Sequence, residues 1–327
     1  EIKEVAQTAA CIGRDFELPL LAAILPLGEQ ALCDALSRLA KSELIFCRGT
    51  PPEARYTFKH ALVRDAAYES LLKSTRQEIH GRLTAALEAV SSTPPDLLAY
   101  HATQAGLTEK AVGYSQKAAG QAVARPAYKE ASAHLNQALR LAELMGDSPP
   151  WQERRLHLLL ALGQALIPLR GYAHEQTVSA FTRARDLADS MKDAPHRDAI
   201  AYAVWSSQHS RGEQDKALDT ARQMHARAAL DGNEGFVLTA LRSLAISQMI
   251  TGALVPARET FELTIPLSGA VRQRSREQRV SVAQRFTADP EIATQFYVSL
   301  TLWALGDVAQ SHRRVAEALA AARAMGH

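Results

Sequence analysis

Along most of this chain, apolar residues recur every three to four positions, which is the spacing that places them on one face of an α-helix. Near the N-terminus the spacing changes to the alternation that is typical of β-strands, and a Gly- and Pro-containing turn separates two such stretches. Helices followed by a two-stranded hairpin form a winged-helix pattern, which we assign to residues 1–92. The predicted elements are helices at 2–12, 18–25 and about 29–41, strands at 44–48 and 55–58, and a helix that begins at His60 and includes Leu71 and Leu72.

Beyond about residue 95 the pattern is helical throughout and predicts no strand. Gly and Pro residues interrupt it at intervals, so that short connections join successive helices. A chain of short-looped antiparallel helix pairs is typical of a helical solenoid, which we assign to residues 93–327. The predicted helices lie at 96–105, 108–124, 128–146, 151–168, 174–191, 196–211, 213–230, 234–250, 253–265, 290–305 and 307–325.

A repeated spacing of small residues supports this prediction. Four glycines end helices, and each is followed five residues later by another small residue: Gly106 and Ala111, Gly212 and Ala217, Gly252 and Ala257, Gly306 and Ser311. Glycine permits a tight turn, and a small residue lets the second helix approach the first closely. The spacing is similar to that of tetratricopeptide repeats, although the glycines are irregularly separated. We therefore expect a mainly α protein with one β-hairpin and degenerate tetratricopeptide-like repeats; an unrelated helical bundle is the alternative.

Composition and charge narrow the function classes. The chain is rich in alanine, and only 6% of its residues are aromatic, which favours helix. A net charge of +2 gives no general electrostatic reason to bind nucleic acid or membrane. The helix at 29–41 mixes acidic and basic residues, so we expect no specific DNA binding and assign the module to protein packing. Three cysteines without a CxxC pair fit a reducing, cytoplasmic compartment.

Enzyme motifs are missing from the sequence. No Gly-Lys dipeptide occurs, so there is no Walker A phosphate loop, and the GxSxG, HExxH and GxGxxG patterns do not occur either. The histidines are scattered and suggest no metal site. We therefore expect a non-catalytic protein without a cofactor of its own; a helical enzyme with an unmarked site is the weaker alternative.

Two features of the helical region are candidates for partner binding. Partners of helical solenoids bind in the groove that the first helix of each pair lines, and Tyr202, Trp205, Arg242 and Tyr297 fall on predicted first helices. Most such aromatic residues are core residues, which is the competing interpretation. The second feature is an Arg-rich stretch at 271–285, either a solvated connector or a stripe that binds an anion or a partner.

Several segments resemble a family of large bacterial signalling proteins. These proteins join a class III adenylate/guanylate cyclase domain, a STAND-type AAA+/NTPase module and a C-terminal tetratricopeptide array. The resemblance covers nearly the whole chain and is weakest across the Arg-rich stretch. The segments that carry it are YTFKHALVRDAAYESLL (56–72), IGRDF (12–16), RGTPP (48–52), LRGYA (169–173), DPE (289–291) and LWALG (302–306).

The resemblance implies that the chain is the regulatory part of a longer protein. Its winged helix would pack on an NTPase core that binds ATP or ADP, and its solenoid would bind a protein partner. In STAND proteins a histidine of a Met-His-Asp-type motif senses the bound diphosphate. Here the matching stretch is Lys59-His60-Ala61, so only His60 carries over.

Three alternatives remain open at this stage. The alternative interpretation of His60 is that it is an ordinary residue at the start of a helix. Arg64 and Asp65 form either a local ion pair or a contact with the NTPase core. The alternative interpretation of the chain as a whole is that it is the effector-sensing region of a STAND-type transcriptional regulator. The domain upstream of residue 1 would separate a cyclase-linked protein from such a regulator.

Overall fold

The computed structural model describes residues 1–192, 196–231, 234–264, 266–267 and 289–325. This part of the chain contains sixteen helices and three short strands, so the predicted mainly α class is confirmed. The chain divides into two compact units, Glu1–Leu158 and Leu159–His327, and this division falls within one long helix. The predicted domain boundary at 92/93 stays a prediction.

The N-terminal unit holds eight complete helices, three strands and the start of a ninth helix. In chain order they are α1 (Ile2–Ile12), β1 (Asp15–Glu17), α2 (Leu18–Ile24), α3 (Glu29–Lys41), β2 (Ile45–Arg48), β3 (Arg55–Phe58), α4 (Ala61–Glu69), α5 (Lys73–Glu88), α6 (Pro95–Gln104), α7 (Thr108–Ala124), α8 (Tyr128–Glu143) and α9 (Pro149–Arg170).

The described residues of the second unit continue α9 and add seven helices. They are α10 (Glu175–Ser190), α11 (Arg197–Ser210), α12 (Gln214–Asp231), α13 (Glu234–Ile250), α14 (Leu254–Glu262), α15 (Pro290–Ala304) and α16 (Val308–Met325). None of the described helices is both long enough and apolar enough to span a bilayer.

The N-terminal sheet has one strand more than the sequence predicts. The predicted hairpin is confirmed as β2 and β3, but β1 pairs antiparallel with the other edge of β3 and gives the order β1-β3-β2. The expectation that strand is confined to 44–58 was therefore wrong. Only Phe16 of β1 is buried, and its ring stacks on Tyr56 at 5.6 Å. Three residues with a single apolar side chain are too few to show a period in the sequence.

The helix after the hairpin is shorter than predicted. It ends at Glu69, and α5 begins at Lys73, so Leu71 and Leu72 lie in the connection between the two helices. Leu71 is 9% exposed and Leu72 is 74% exposed. No residue of α4 is buried, and Leu62 on its first turn is 80% exposed.

The turn glycines place the helix pairs as the sequence predicts. Gly106, Gly212, Gly252 and Gly306 adopt φ between +73° and +87°, a region in which a side chain is strained. The small residues five positions later are buried, with exposures of 0% for the three alanines and 5% for Ser311. This confirms the predicted close contact of paired helices.

Two of these pairs share a polar contact that we did not predict. The Thr220 hydroxyl donates to Oε1 of Gln208 at 2.8 Å, and the Thr260 hydroxyl donates to Oε1 of Gln248 at the same distance. Both contacts lie at the same positions relative to the turn glycine, so the α11–α12 and α13–α14 pairs repeat with an offset of 40 residues. We call each contact a Gln–Thr clasp.

A glycine inside α9 has a packing reason. A Cβ atom at Gly163 would overlap the ring of Phe181 on α10, and that ring is 2% exposed. Glycine is unfavourable inside a helix by roughly 0.5–1 kcal/mol relative to alanine. The close packing of α10 explains why glycine nevertheless stands at this position.

Candidate functional site

The structure brings together the four residues that the sequence suggested for partner binding. Tyr202 and Trp205 lie on α11, Arg242 on α13 and Tyr297 on α15, which are the first helices of the last three pairs that the structure describes. The Tyr202 and Trp205 rings are 5.6 Å apart, and the Arg242 guanidinium lies 5.6 Å from the centre of the Tyr202 ring. Tyr202 and Tyr297 pack against the buried core that contains Trp205. We call these four residues the first-helix cluster.

Arg242 is the most unusual member of the cluster. Only 2% of this residue is exposed, and its Nη1 atom is buried without a hydrogen-bond partner among the described residues. An arginine stays charged at any ordinary pH, so its burial cannot be relieved by loss of a proton. The aromatic face of Tyr202 offsets part of the cost through a cation–π contact. Arg242 therefore retains hydrogen-bonding capacity that the described residues do not use.

Trp205 connects the first-helix cluster to the buried core. It is 4% exposed, and its indole N–H donates to the Ser247 hydroxyl on α13 at 2.9 Å. Its ring also stacks on His209 at 5.3 Å with only 9° between the planes. In this structure Trp205 is a core residue that joins α11 to α13, and its predicted contact with a partner stays a prediction.

Tyr297 is linked to the cluster electrostatically. Burial raises the pKa of its hydroxyl, the Arg242 cation opposes this rise, and Tyr202 adds to it. Ser206 and Ser207 on α11 are also buried, and their hydroxyls have no hydrogen-bond partner among the described residues.

The cluster has the chemistry to bind a carboxylate or a peptide carbonyl. A guanidinium beside aromatic rings favours an oxygen anion through charge-assisted hydrogen bonds. No group of three or more His, Cys, Asp or Glu side chains among the described residues is placed to hold a metal ion. The Arg-rich stretch at 271–285 lies outside the described residues.

His60 lies at the corner where β3 meets α4. It is exposed, it is the N-cap residue of α4, and its side chain makes no capping hydrogen bond. Its carbonyl accepts from the Val63 amide at 3.1 Å. The neighbouring Arg64 forms an ion pair with Asp65, as one of the two alternatives for these residues predicts.

The structure also contains a buried histidine pair that the sequence analysis missed. His80 on α5 and His101 on α6 are 0% and 1% exposed, and their Nδ1 atoms are 2.9 Å apart. The Tyr68 hydroxyl lies 3.2 Å from Nε2 of His80, and the Arg76 guanidinium lies over the Tyr68 ring. Burial lowers the pKa of both histidines to about 4, and for His80 the neighbouring His101 and Arg76 add to the effect.

A hydrogen bond between two Nδ1 atoms requires one ring to donate and the other to accept, so the accepting ring is neutral. With a pKa of about 4 for each residue, both rings are neutral near pH 7. The two residues are 21 positions apart on different helices, and no fixed spacing in the sequence announces their contact. We call this contact the histidine pair.

Comparisons with known proteins give one related sequence and several distant folds. No family model matches the chain. An uncharacterized protein of Rhizobium meliloti (strain 1021) is 32% identical over 234 residues, which are 69% of this chain and 23% of that protein. The chain therefore spans about a quarter of the length of this relative.

Solved structures with helical repeats are similar at low identity. A putative kinesin light chain of Podospora anserina with TPR-like repeats is 17% identical, with a TM-score of 0.49 over 64% of this chain and 93% of that one. NprR in complex with its cognate peptide NprX is 11% identical, with a TM-score of 0.47 over 93% and 76%. A STAND protein of Pyrococcus horikoshii with a tetratricopeptide repeat sensor is 12% identical, with a TM-score of 0.40 over 97% and 62%.

Proposed function

We propose that this chain is a non-catalytic regulatory sensor whose helical repeats bind a protein partner at the first-helix cluster. The observation that carries the proposal is the buried Arg242 guanidinium with an unused Nη1 donor, which lies on the first helix of a pair and beside aromatic residues. The partner would supply a carboxylate, from an Asp, a Glu or a chain terminus.

Burial of Arg242 also suggests how binding would be coupled to a change of state. An uncompensated buried charge destabilises the form that holds it, by several kcal/mol where one partner of a buried pair is missing. A partner carboxylate can reach Nη1 only if the residues that cover Arg242 move aside. Binding would therefore favour a more open form over the one described here, and a difference of a few kcal/mol in affinity is enough to shift the population.

For the N-terminal residues we propose the winged helix of a STAND NTPase. The sequence resemblance supports this, and so does the exposed face of α4, on which Leu62 is 80% exposed. In the longer protein an NTPase core that binds ATP or ADP would cover this face, and His60 at the adjacent corner would donate to the β-phosphate of the diphosphate. The output domain would be a nucleotide cyclase and the location cytoplasmic; the alternative is a STAND-type transcriptional regulator.

Selection of binding peptides tests the partner site. A random peptide display library is panned against the chain, and the affinities of the recovered peptides are measured for wild type, Arg242→Met and Arg222→Met. Arg222 is the matched control because it lies on α12 with 64% of its side chain exposed. We expect selected peptides to share an acidic residue or a free carboxyl terminus and to lose at least tenfold in affinity to Arg242→Met only.

Two results would reject the partner site: peptides without a shared carboxylate, or equal affinities for the three proteins. The parent protein is tested separately by its flanking domains. A cyclase domain next to this chain in the full polypeptide supports the first output, and a DNA-binding domain supports the alternative.

A further inference from the structure

The second unit contains a cavity that is lined by α10, α11 and the start of α12. Its volume is about 400 Å³, and sites for small molecules typically measure about 300–1,000 Å³. Both α10 and α11 contribute four lining residues at the spacing i, i+3, i+4 and i+7, which lie on one face of a helix. The stripe on α10 extends from Val178 to Arg185, and the stripe on α11 extends from Val204 to Arg211. Described helices precede α10 and follow α12, so the cavity does not lie at an end of the described chain.

The lining of this cavity combines an apolar part with an excess of positive charge. Phe181 and Val204 belong to the apolar part and are 2% and 7% exposed. The charged lining residues are Arg185, Arg211, Lys216 and Glu213. Three cations and one carboxylate leave the lining with a formal charge of +2. Such a lining is suited to a ligand that has both an apolar body and an anionic group.

The cations of the cavity keep donors for a ligand. Glu213 accepts a hydrogen bond from Nε of Arg211 at 2.7 Å and one from Nζ of Lys216 at 3.1 Å, and these bonds lower the pKa of the Glu213 carboxyl. Arg211 donates no other side-chain hydrogen bond among the described residues, so its two terminal nitrogens remain available. Arg185 is paired with Asp186, which does not line the cavity. Exposed ion pairs of this kind contribute little to stability, so an incoming anion can compete for these cations.

A buried hydroxyl in the same cavity has no partner. Ser207 is 3% exposed, and its Oγ atom makes no hydrogen bond among the described residues. The equivalent residue of the next pair, 40 positions later, is Ser247, and its hydroxyl accepts the indole N–H of Trp205 at 2.9 Å. In that pair Thr251 and Pro256 stand in place of two of the three cations. The unused hydroxyl and the positive charge therefore occur together in one helix pair and are not a general property of the repeat.

We propose that this cavity binds a small organic anion, whose oxyanion group contacts Arg211, Lys216 and the Ser207 hydroxyl. The oxyanion is a phosphate or a carboxylate, since both accept charge-assisted hydrogen bonds from guanidinium and ammonium groups. The apolar part of the ligand lies against Phe181 and the neighbouring valines. Binding gives the Ser207 hydroxyl the acceptor that it lacks within the chain. The site is separate from the first-helix cluster, whose Trp205 contacts α13 and does not line the cavity.

Four probe compounds test the cavity on the intact chain. Phenyl phosphate and phenylacetate carry an apolar ring and an oxyanion, benzyl alcohol carries the ring without a charge, and inorganic phosphate carries the charge without a ring. Isothermal titration calorimetry measures their affinities for wild type, Arg211→Gln, Ser207→Ala and Arg222→Gln. Arg222 is the matched control because it lies on α12 outside the cavity and its replacement changes the net charge equally. Both cavity variants should fold, since 42% of the Arg211 side chain is exposed and the Ser207 hydroxyl has no partner to lose.

We expect at least one of the two organic anions to bind wild type and Arg222→Gln equally. Its affinity should fall about tenfold in Arg211→Gln and about threefold in Ser207→Ala, because a charged donor contributes more than a neutral one. The tighter of the two organic anions identifies the preferred oxyanion. The proposal is overturned if neither organic anion binds, if benzyl alcohol or inorganic phosphate binds as tightly, or if the two cavity variants bind like wild type. Failure of this test leaves the Arg242 experiment unaffected.

Discussion

The histidine pair and the first-helix cluster are two buried polar sites that solve the same problem differently. Each lies inside one compact unit and removes titratable side chains from water. The histidines are neutral near pH 7 because burial lowers the pKa of both to about 4, and their Nδ1 atoms are hydrogen-bonded to each other. Arg242 cannot lose its charge, and its Nη1 atom has no hydrogen-bond partner in the part of the chain that the structure describes.

This difference is the reason why we propose a ligand for the first-helix cluster and only a structural role for the histidine pair. A neutral, mutually bonded pair is satisfied within the chain and contributes to the packing of α5 against α6. A buried cation with an unused donor is unsatisfied, and it becomes satisfied only when another group arrives. Burial of polar residues alone is therefore no sign of function; the sign is hydrogen-bonding capacity that the fold leaves unused.

The largest expected effect is the pH dependence of stability in the N-terminal unit. Both histidines have a pKa of about 4 in the folded chain, below the ordinary value of 6.5, so between these values the unfolded chain binds protons that the folded chain excludes. The free energy of unfolding should therefore be constant above about pH 7 and fall as the pH decreases from 6.5 towards 4. The loss is at most about 3 kcal/mol for each histidine. Urea unfolding at a series of pH values measures it.

A double variant isolates the histidine pair from other acid effects. His80→Gln/His101→Gln should flatten the slope between pH 6.5 and 5, whereas His60→Gln/His312→Gln, which changes two exposed histidines, should retain it. Carboxylates with lowered pKa, such as Glu88, lose their contribution only at lower pH. Equal slopes in the two double variants would show that the histidine pair is not the source.

The next effect is a difference of sign between two apolar replacements. His101→Leu leaves Nδ1 of His80 buried without its partner, and we expect the free energy of unfolding at pH 7.5 to fall by about 1–3 kcal/mol. Arg242→Met removes a buried charge and keeps a long side chain, so we expect the free energy of unfolding to rise by about 1 kcal/mol. Urea unfolding compares both with wild type. If Arg242→Met destabilises as much as His101→Leu, Arg242 is a structural residue and the comparison fails.

The smallest effect should come from His60. Its side chain is exposed and makes no capping hydrogen bond, so His60→Ala should change the stability of this chain by less than about 0.5 kcal/mol. In the full-length protein the same change should weaken diphosphate retention, because a donor to the β-phosphate is removed. Melting temperature and diphosphate affinity are measured together. Unchanged affinity rejects the sensor role, whatever the melting temperature does.

The sequence predicts the helix pairs well because glycine is a strong and local signal. A residue with positive φ is needed at each tight turn, and the buried alanine five positions later follows from the close approach of the helices. The end of α4 was predicted less well, since Leu71 and Leu72 continue the apolar stripe after the helix has stopped. A three-residue strand such as β1 carries too few side chains to reveal itself.

The candidate site was predictable in its location but not in its state. First-helix positions follow from the pairing, so the sequence could place Tyr202, Arg242 and Tyr297 on one series of helices. The burial of Arg242 depends on what packs around it, and the histidine pair depends on the register of α5 against α6. Both are properties of tertiary packing, to which hydrophobic periodicity is insensitive.

The Gln–Thr clasps have a consequence for how the chain acquires its structure. Each clasp joins residues only twelve positions apart, and the turn glycine lies between them. Contacts of such low sequence separation close at small entropic cost and are associated with fast folding. The contacts within each helix pair can therefore begin to form before the chain that follows, and α13 then completes the core of the α11–α12 pair. Early contact formation within these two helix pairs would limit the time during which their apolar faces are exposed to other chains.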